Sequence, residues 1–252
     1  MTASLHRWAI PDLPRGRHRK LNIMTEREKI MTRIQEALTV AAPQPGHGSV
    51  QPSQPASGSS PAANARQWLP VVGNSVEERI AMFSKRAAEL RADFQLANGR
   101  EDMAKRLLDL SKAEGWKRIG VHVGESTDFA CAQLGLPFCR TDGGYAVSEL
   151  EGCDVGITEC DALVAQTGGV LVTNRSAGGR ALSVLPPHHV VLARREQLVP
   201  DLPEAFAVLK RKYASNYPSF ICFITGPSRT SDIERILVLG AHGPKKLTIL
   251  CF

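Results

Sequence analysis

Phe220-Ile-Cys-Phe-Ile-Thr-Gly-Pro-Ser-Arg-Thr-Ser-Asp-Ile-Glu234 joins a short, continuous, β-rich apolar run to a turn of small polar residues. The run Phe220–Ile224 predicts a strand buried on both faces, the pattern of a sheet covered on each side in an α/β fold. The chain then breaks at Gly226-Pro227, and Ser228 or Thr230 is placed to cap a following helical segment. Arg229 and free backbone N–H groups would stand at the carboxyl end of a strand, where open α/β folds take up anions. An ordinary capped strand-to-helix turn accounts for the same residues.

Working outward, the rhythm on the amino-terminal side agrees. Ile119–Val123, Val155–Ile157, Gly169–Val172 and Val190–Ala193 have strand character, and Leu247–Leu250 together with Ile221–Ile224 closes the sheet. Between them lie helical stretches at Asp102–Glu114, Asp128–Leu136 and Leu202–Lys212, with a helical turn over Asp161–Gln166. This alternation predicts a three-layer α/β/α domain with a largely parallel sheet over residues 67–252. The capping box Ser75-Val-Glu-Glu78 opens a helix that carries Ile80, Phe83, Ala87, Leu90 and Phe94 on one face. A second box, Thr25-Glu-Arg-Glu28, opens an amphipathic helix over residues 25–41, with Ile30, Ile34 and Leu38 as its stripe, within a segment 24–42. That helix packs on its own domain or docks on a partner. Residues 43–65 hold five prolines, five serines and three glycines. A segment so poor in large apolar side chains cannot offset its ordering entropy, so 43–66 is expected to be a flexible linker. Residues 1–23 are expected to be a disordered basic extension or to precede the natural start at Met24.

The formal net charge is +6. Five basic residues against one acid fall within the first 23 positions, leaving +2 for the remainder. A nearly neutral body lacks the broad basic face that a phosphate backbone requires, so no nucleic-acid partner is expected. The six cysteines never form Cys-x-x-Cys, no metal-ligand spacing is present, and they are expected to be reduced, mostly buried thiols. No apolar run has the length of a transmembrane segment.

Thr158, Glu159 and Asp161 follow a strand directly, and Gly168-Gly169 permits positive φ and close backbone approach. Thr158 or Asp161 capping a short helix, with the glycines as its terminal turn, explains the same pattern. Asn174-Arg-Ser-Ala-Gly-Gly-Arg180 is rich in donors and suits a carboxylate or phosphate, but it fits no nucleotide fingerprint. His188 and His189 alternate on a strand, so they are not expected to ligate one metal together; one is expected to be buried and hydrogen-bonded while the other meets solvent. His242, between turn-forming residues, either reaches a cleft or bonds a backbone carbonyl. No serine or cysteine nucleophile motif is present.

Together, Val155-Gly-Ile-Thr158, Asp161–Gly168, Leu185-Pro-Pro-His188, Phe223–Glu234 and Leu237-Val-Leu-Gly-Ala-His-Gly-Pro244 resemble the lactate-utilisation (LUD) domain family. The start at Met24 with its short helix is similar to that family's amino end. The resemblance implies a fold similar to the sugar-phosphate isomerase and coenzyme A transferase group, and a cytoplasmic role in oxidising L-lactate to pyruvate. It further implies a non-cluster subunit without a cofactor of its own, acting beside partner subunits whose iron–sulfur clusters carry the electrons. The matched positions Thr158, Asp161, Thr167, Gly168, Arg180, Ser228, Arg229, Thr230 and Asp232 form the candidate substrate or anion site, with no catalytic residue assigned. A lactate or pyruvate carboxylate is expected at Arg229 or Arg180. Where relatives carry an acid before Thr-Gly-Thr, this chain has Gln166-Thr-Gly-Gly169, and an amide cannot accept a proton at neutral pH. The alternatives are a stand-alone enzyme acting on a coenzyme A ester or a phosphorylated sugar, and a regulatory module that binds an organic acid.

Overall fold

The computed structural model describes residues 25–39, 69–214, 216–230, 238–239 and 242–252. The expected basic extension, the linker and Asp232 lie outside the described residues. The chain divides into two units, Met1–Gly58 and Ser59–Phe252. The first contains helix α1, Glu26–Thr39, entered through the Thr25/Glu28 capping box: Thr25 N–H donates to Glu28 Oε2 at 2.7 Å and Glu28 N–H to Thr25 Oγ1 at 3.3 Å. The side chains of Ile34 and Leu38, two thirds of its expected stripe, lie outside the described residues.

The second unit is built on six parallel strands: β1 (Asp93–Leu96), β2 (Ile119–Val121), β3 (Phe138–Arg140), β4 (Val155–Thr158), β7 (His188–Ala193) and β12 (Lys246–Cys251). Their order across the sheet is β1-β12-β7-β4-β2-β3, every pairing parallel. Successive residues of β7 face opposite ways. Val190 and Leu192 join Met103 and Leu107 of helix α3 (Arg100–Glu114) and Ala130 of helix α4 (Glu125–Leu134). Val191 and Ala193 join Phe83 and Ala87 of helix α2 (Val76–Glu89) on the other side. Helices therefore flank the parallel sheet on both faces, as the alternation predicts.

The side occupied by α2 also carries a second sheet, ordered β8-β5-β6-β9. Its strands are β5 (Ala162–Val164), β6 (Gly169–Thr173), β8 (Leu198–Val199) and β9 (Ile221–Ile224). Leu163, Val170 and Val172 face the main core. Ala162, Val164 and Leu171 face outward, under Ala205, Leu209 and Tyr213 of helix α6 (Leu202–Tyr213). A short helix α5 (Val147–Glu151) precedes β4.

Four expectations are corrected. Phe220–Ile224 is not a doubly buried strand of the parallel sheet: β9 is an edge strand antiparallel to β6, and Ile221 is 39% exposed. Its run is continuously apolar because Cys222 and Ile224 face the main core, while Phe223 meets Phe206 of α6 with ring centroids 5.5 Å apart. Asp161–Gln166 is not a helical turn: Ala162–Val164 is strand β5, Asp161 N–H extends its ladder by donating to Leu171 O at 2.8 Å, and Ala165 and Gln166 enter the β5–β6 turn. Phe94 is not on α2, which stops at Glu89; Arg91 takes φ 62° and reverses the chain into β1, where Phe94 still packs on Phe83 at 4.9 Å. Finally, Arg229–Thr230 forms a short strand β10, antiparallel to β11 (Val238–Leu239), instead of starting a helix at Ser228; residues 231–237 lie outside the described residues.

Candidate functional site at the carboxyl ends of the strands

Strand β4 delivers Thr158, Glu159 and Asp161 to the carboxyl edge of the parallel sheet, beside His122, which follows β2 directly. Glu159 N–H donates to His122 Nε2 at 3.1 Å, so that nitrogen is the acceptor and the ring proton sits on Nδ1, donated to Val123 O at 2.9 Å. The Glu159 carboxylate turns to the first turn of α4, where Oε1 accepts from Ser126 N–H at 2.7 Å and Thr127 N–H at 3.4 Å. A negative group there satisfies orphan helix donors and opposes the dipole. A Cβ on the N-cap Gly124 would come within 2.6 Å of Glu159 Oε1 and 2.8 Å of Thr127 Oγ1, so a side chain there would displace the carboxylate from this position. The loop following β6 closes over this pair. Gly178 (φ 60°) rests on His122 Cβ and on Thr141 Oγ1, leaving no room for a side chain.

Asp161 is the centre of a second network. Its side chain is fully buried, with Oδ1 accepting from Lys212 Nζ at 2.6 Å and Tyr213 OH at 2.7 Å, and Oδ2 from Ser176 Oγ at 2.7 Å. Burial opposes ionisation, yet the hydrogen bonds from Lys212, Ser176 and Tyr213 hold this carboxyl below the usual range. Burial likewise opposes the charge of Lys212, but Asp161 raises its pKa above the ordinary value. Ser176 Oγ also accepts Thr173 N–H at 2.9 Å, which ties the loop to β6. Beside this network Arg175 lies 5.2 Å from the Tyr213 ring centroid, and farther along the same loop Arg180 lies 5.3 Å from that of Phe220. With the half-exposed Lys212, they give this edge a cationic surface over a carboxylate that is already neutralised.

The sequence candidates separate. Thr158 and Asp161 belong to the carboxyl edge, with Arg180 on the loop that covers it. Thr158 is buried and shares a 2.9 Å hydrogen bond with His189 Nε2. Thr167 and Gly168 form the β5–β6 turn at the other end of the second sheet, where Gly168 lies against Arg86 and Ala87 of α2. Ser228 and Arg229 are at that far end too: Ser228 N–H donates to Pro244 O at 2.9 Å and Arg229 Nη2 to Thr225 O at 3.3 Å. Thr230 pairs with Val238. The β6–β9 register requires this division, since Thr173 is opposite Ile221 and Val170 opposite Ile224. Gln166 donates through Nε2 to Pro70 O at 2.9 Å, a tether for the incoming chain.

Reasoning from sequence missed His122, Ser176, Lys212 and Tyr213. A histidine at a strand's end before Val-Gly and a helix was the one available signal for His122. The two adjacent histidines do face opposite ways, but both are buried, against the expectation that one meets solvent. His188 Nε2 lies 3.0 Å from Thr248 Oγ1. His242 is exposed. All six thiols are pushed up by burial, Cys153 and Cys251 to about 11. Among the described residues no group of three or more His, Cys, Asp or Glu is placed to hold a metal ion, and no helix is long and apolar enough to cross a membrane.

The LUD domain family matches residues 80–251, a span containing both networks. The chain belongs to the LUD domain family. Among similar proteins, Lactate utilization protein C of Halalkalibacterium halodurans is 39% identical over 107 residues, covering 42% of this chain and 46% of that protein. Lactate utilization protein C of Anoxybacillus flavithermus is 37% identical over 110 residues, covering 44% and 49%. The chain thus spans about half the length of the curated relatives it matches. The crystal structure of a DUF162 family protein from Deinococcus radiodurans superposes with a TM-score of 0.56 at 22% identity, covering 72% of this chain and 99% of that one. At that identity the likeness concerns the fold, and it places this LUD domain on an architecture already seen by crystallography.

Proposed function

We propose that this LUD-domain chain takes part in lactate utilisation, as the non-cluster subunit of a cytoplasmic system that oxidises L-lactate to pyruvate. The observation that carries the reading is the similarity to proteins named Lactate utilization protein C, joined to a family match that includes the carboxyl-edge networks. Lactate yields pyruvate by losing two electrons and two protons; the electrons pass to iron–sulfur clusters of partner subunits, and this chain holds no cofactor. Its own residues supply binding and orientation. Arg180 and Arg175 offer guanidinium forks suited to a carboxylate. Asp161, saturated by three donors, fixes the loop that carries them. Arg229, at the far end of the second sheet, is the competing anchor.

The test is L-lactate-dependent dye reduction in clarified extract of a strain lacking this gene, complemented with the intact chain, Arg180→Ala or Arg229→Ala. Rescue by the intact chain and by Arg229→Ala, but not by Arg180→Ala, is the expected result. Full activity without the gene, in a strain free of other lactate dehydrogenases, overturns the lactate reading. Full rescue by Arg180→Ala overturns only the assignment of the anchor.

A further inference from the structure

Strand β9 closes one side of the second sheet, and among the described residues no strand pairs with its outer edge. Asn174 N–H donates to Phe220 O at 3.2 Å, and hydrogen-bonded pairs recur at every second residue of an antiparallel ladder. Cys222 and Ile224 therefore turn their N–H and C=O groups to Val172 and Val170, while Ile221 and Phe223 turn theirs to the open edge. That open stretch is bounded on both sides. Arg180 Nη2 donates to Ser219 O at 3.5 Å and Arg229 Nη2 to Thr225 O at 3.3 Å, so the backbone groups of Ile221 and Phe223 lie between two carbonyls already engaged.

The other edges of the two larger sheets are guarded. Strand β1 carries Asp93, β3 carries Arg140, and β8 has only two residues. Charge and shortness are the usual defences of an edge against pairing with another chain. Ile221-Cys-Phe-Ile224 has no charged residue, proline or glycine. Beside it stands an apolar rim: Ile221 is 39% exposed, and Phe206, which packs on Phe223, is 55% exposed.

We propose that β9 is an interface between two copies of this chain, paired antiparallel about a two-fold axis at Cys222. An edge with open main-chain donors and acceptors calls for an extended strand, and one without charge calls for a neutral strand. A second copy supplies both at matching length. In this register Ile221 lies opposite the partner's Phe223 and Phe223 opposite the partner's Ile221, so the open backbone groups of the two copies satisfy one another. On the α6 side of the merged sheet, Ile221 meets the partner's Phe223 and Phe206. Ser219 comes opposite the partner's Thr225, which draws Arg180 towards the partner's Arg229; their repulsion eases as salt is added. The pairing does not depend on the lactate reading.

The experiment is sedimentation equilibrium of the full, reduced chain up to roughly 100 µM, where weak pairs are populated. A parallel sample is oxidised mildly with diamide, which takes up the two hydrogens of a facing thiol pair and leaves a disulfide. Cys222 and the partner's Cys222 form a non-hydrogen-bonded pair with Cα atoms about 4.5 Å apart, within reach of a disulfide. The expected result is a concentration-dependent dimer that tightens with salt, and a cross-linked dimer on non-reducing gels that Cys222→Ser abolishes. Association should weaken at least about tenfold in Ile221→Lys, with an unchanged circular dichroism spectrum, and should persist in Ile221→Val. A chain that stays monomeric over the whole range, or a dimer that yields no Cys222 cross-link, overturns the proposal. So does a folded Ile221→Lys that pairs as tightly as the wild type.

Discussion

Asp161 and Ser176 are joined by a 2.7 Å hydrogen bond between two buried side chains on different elements, one leading into β5 and the other on the loop after β6. The same carboxylate collects Lys212 and Tyr213 from α6. One side chain thus holds a strand, a loop and a helix in register.

Replacing Asp161 with Ala takes from the buried hydroxyls of Ser176 and Tyr213 their charged acceptor and leaves them Thr173, whose Oγ1 lies at 3.3 and 3.1 Å. Lys212 is half exposed and turns to water, so the cost is set mainly by the two hydroxyls. A loss of about 2–3 kcal/mol in urea denaturation is expected. An unchanged midpoint and slope would mean that the network contributes no stability. The acid branch should respond as well. A folded carboxyl held low contributes stability above its unfolded value, about 3.9, that disappears as pH falls through the folded pKa, and Asp161→Asn should flatten that decline.

His189 acts in the same direction, at higher pH. Burial, with a smaller contribution from His188, pushes it down to about 3. Between the unfolded value near 6.5 and pH 3 the unfolded chain therefore binds a proton that the folded chain refuses, so stability falls as pH decreases. From pH 7 to pH 5 this single group should remove about 2 kcal/mol. Comparison of urea midpoints at the two pH values for wild type and His189→Asn checks it, and an equal drop in both proteins would assign the effect elsewhere.

Gly178 and Gly179 form an internal control. Both take positive φ, 60° and 106°, but a Cβ at 179 meets nothing within 4 Å whereas one at 178 strikes His122 and Thr141. Gly179→Ala should cost about 1 kcal/mol of backbone strain. Gly178→Ala should cost clearly more and should shift the His122 resonances. Equal melting temperatures for the two variants would contradict the close packing of this loop on His122.

Thiol labelling provides a fourth check. Cys131 and Cys222 are partly exposed and the other four are buried, all with pKa raised by loss of water. Since the thiolate is the reactive form, native protein at neutral pH should alkylate slowly, first at Cys131 and Cys222. Mass spectrometry showing fast modification of Cys153 or Cys160 in folded protein would disagree with the structure.

Local signals were legible in the sequence. The Ser75/Glu78 capping box marks the start of α2 because a cap is decided within four residues, and the apolar cores of β2, β4, β7 and β12 stand out because both faces are covered. The second sheet was not legible as a separate body. Short apolar runs such as Ala162–Val164 and Ile221–Ile224 look alike whether they pair in parallel or antiparallel, and only the register with β6 distinguishes them. Asp161 was picked out by its place after a strand. Its partners Ser176, Lys212 and Tyr213 lie 15, 51 and 52 residues away, a separation that periodicity cannot bridge. The split between Arg180 and Arg229 arises for the same reason.

The position of β12 between β1 and β7 has a consequence for synthesis. Strand β1 finds its neighbour only when residues 246–251 exist, some 150 residues later in the chain, with Asp93 opposite Thr248. While the polypeptide emerges from the ribosome, the facing edges of β1 and β7 must wait unpaired, with Phe94 and Val191 lacking their final cover. Such long-range closure is slow and leaves adhesive edges open meanwhile. Newly made chains should therefore need chaperone protection until β12 slots in, and a nonsense codon before Lys246 should yield aggregate rather than a smaller folded domain.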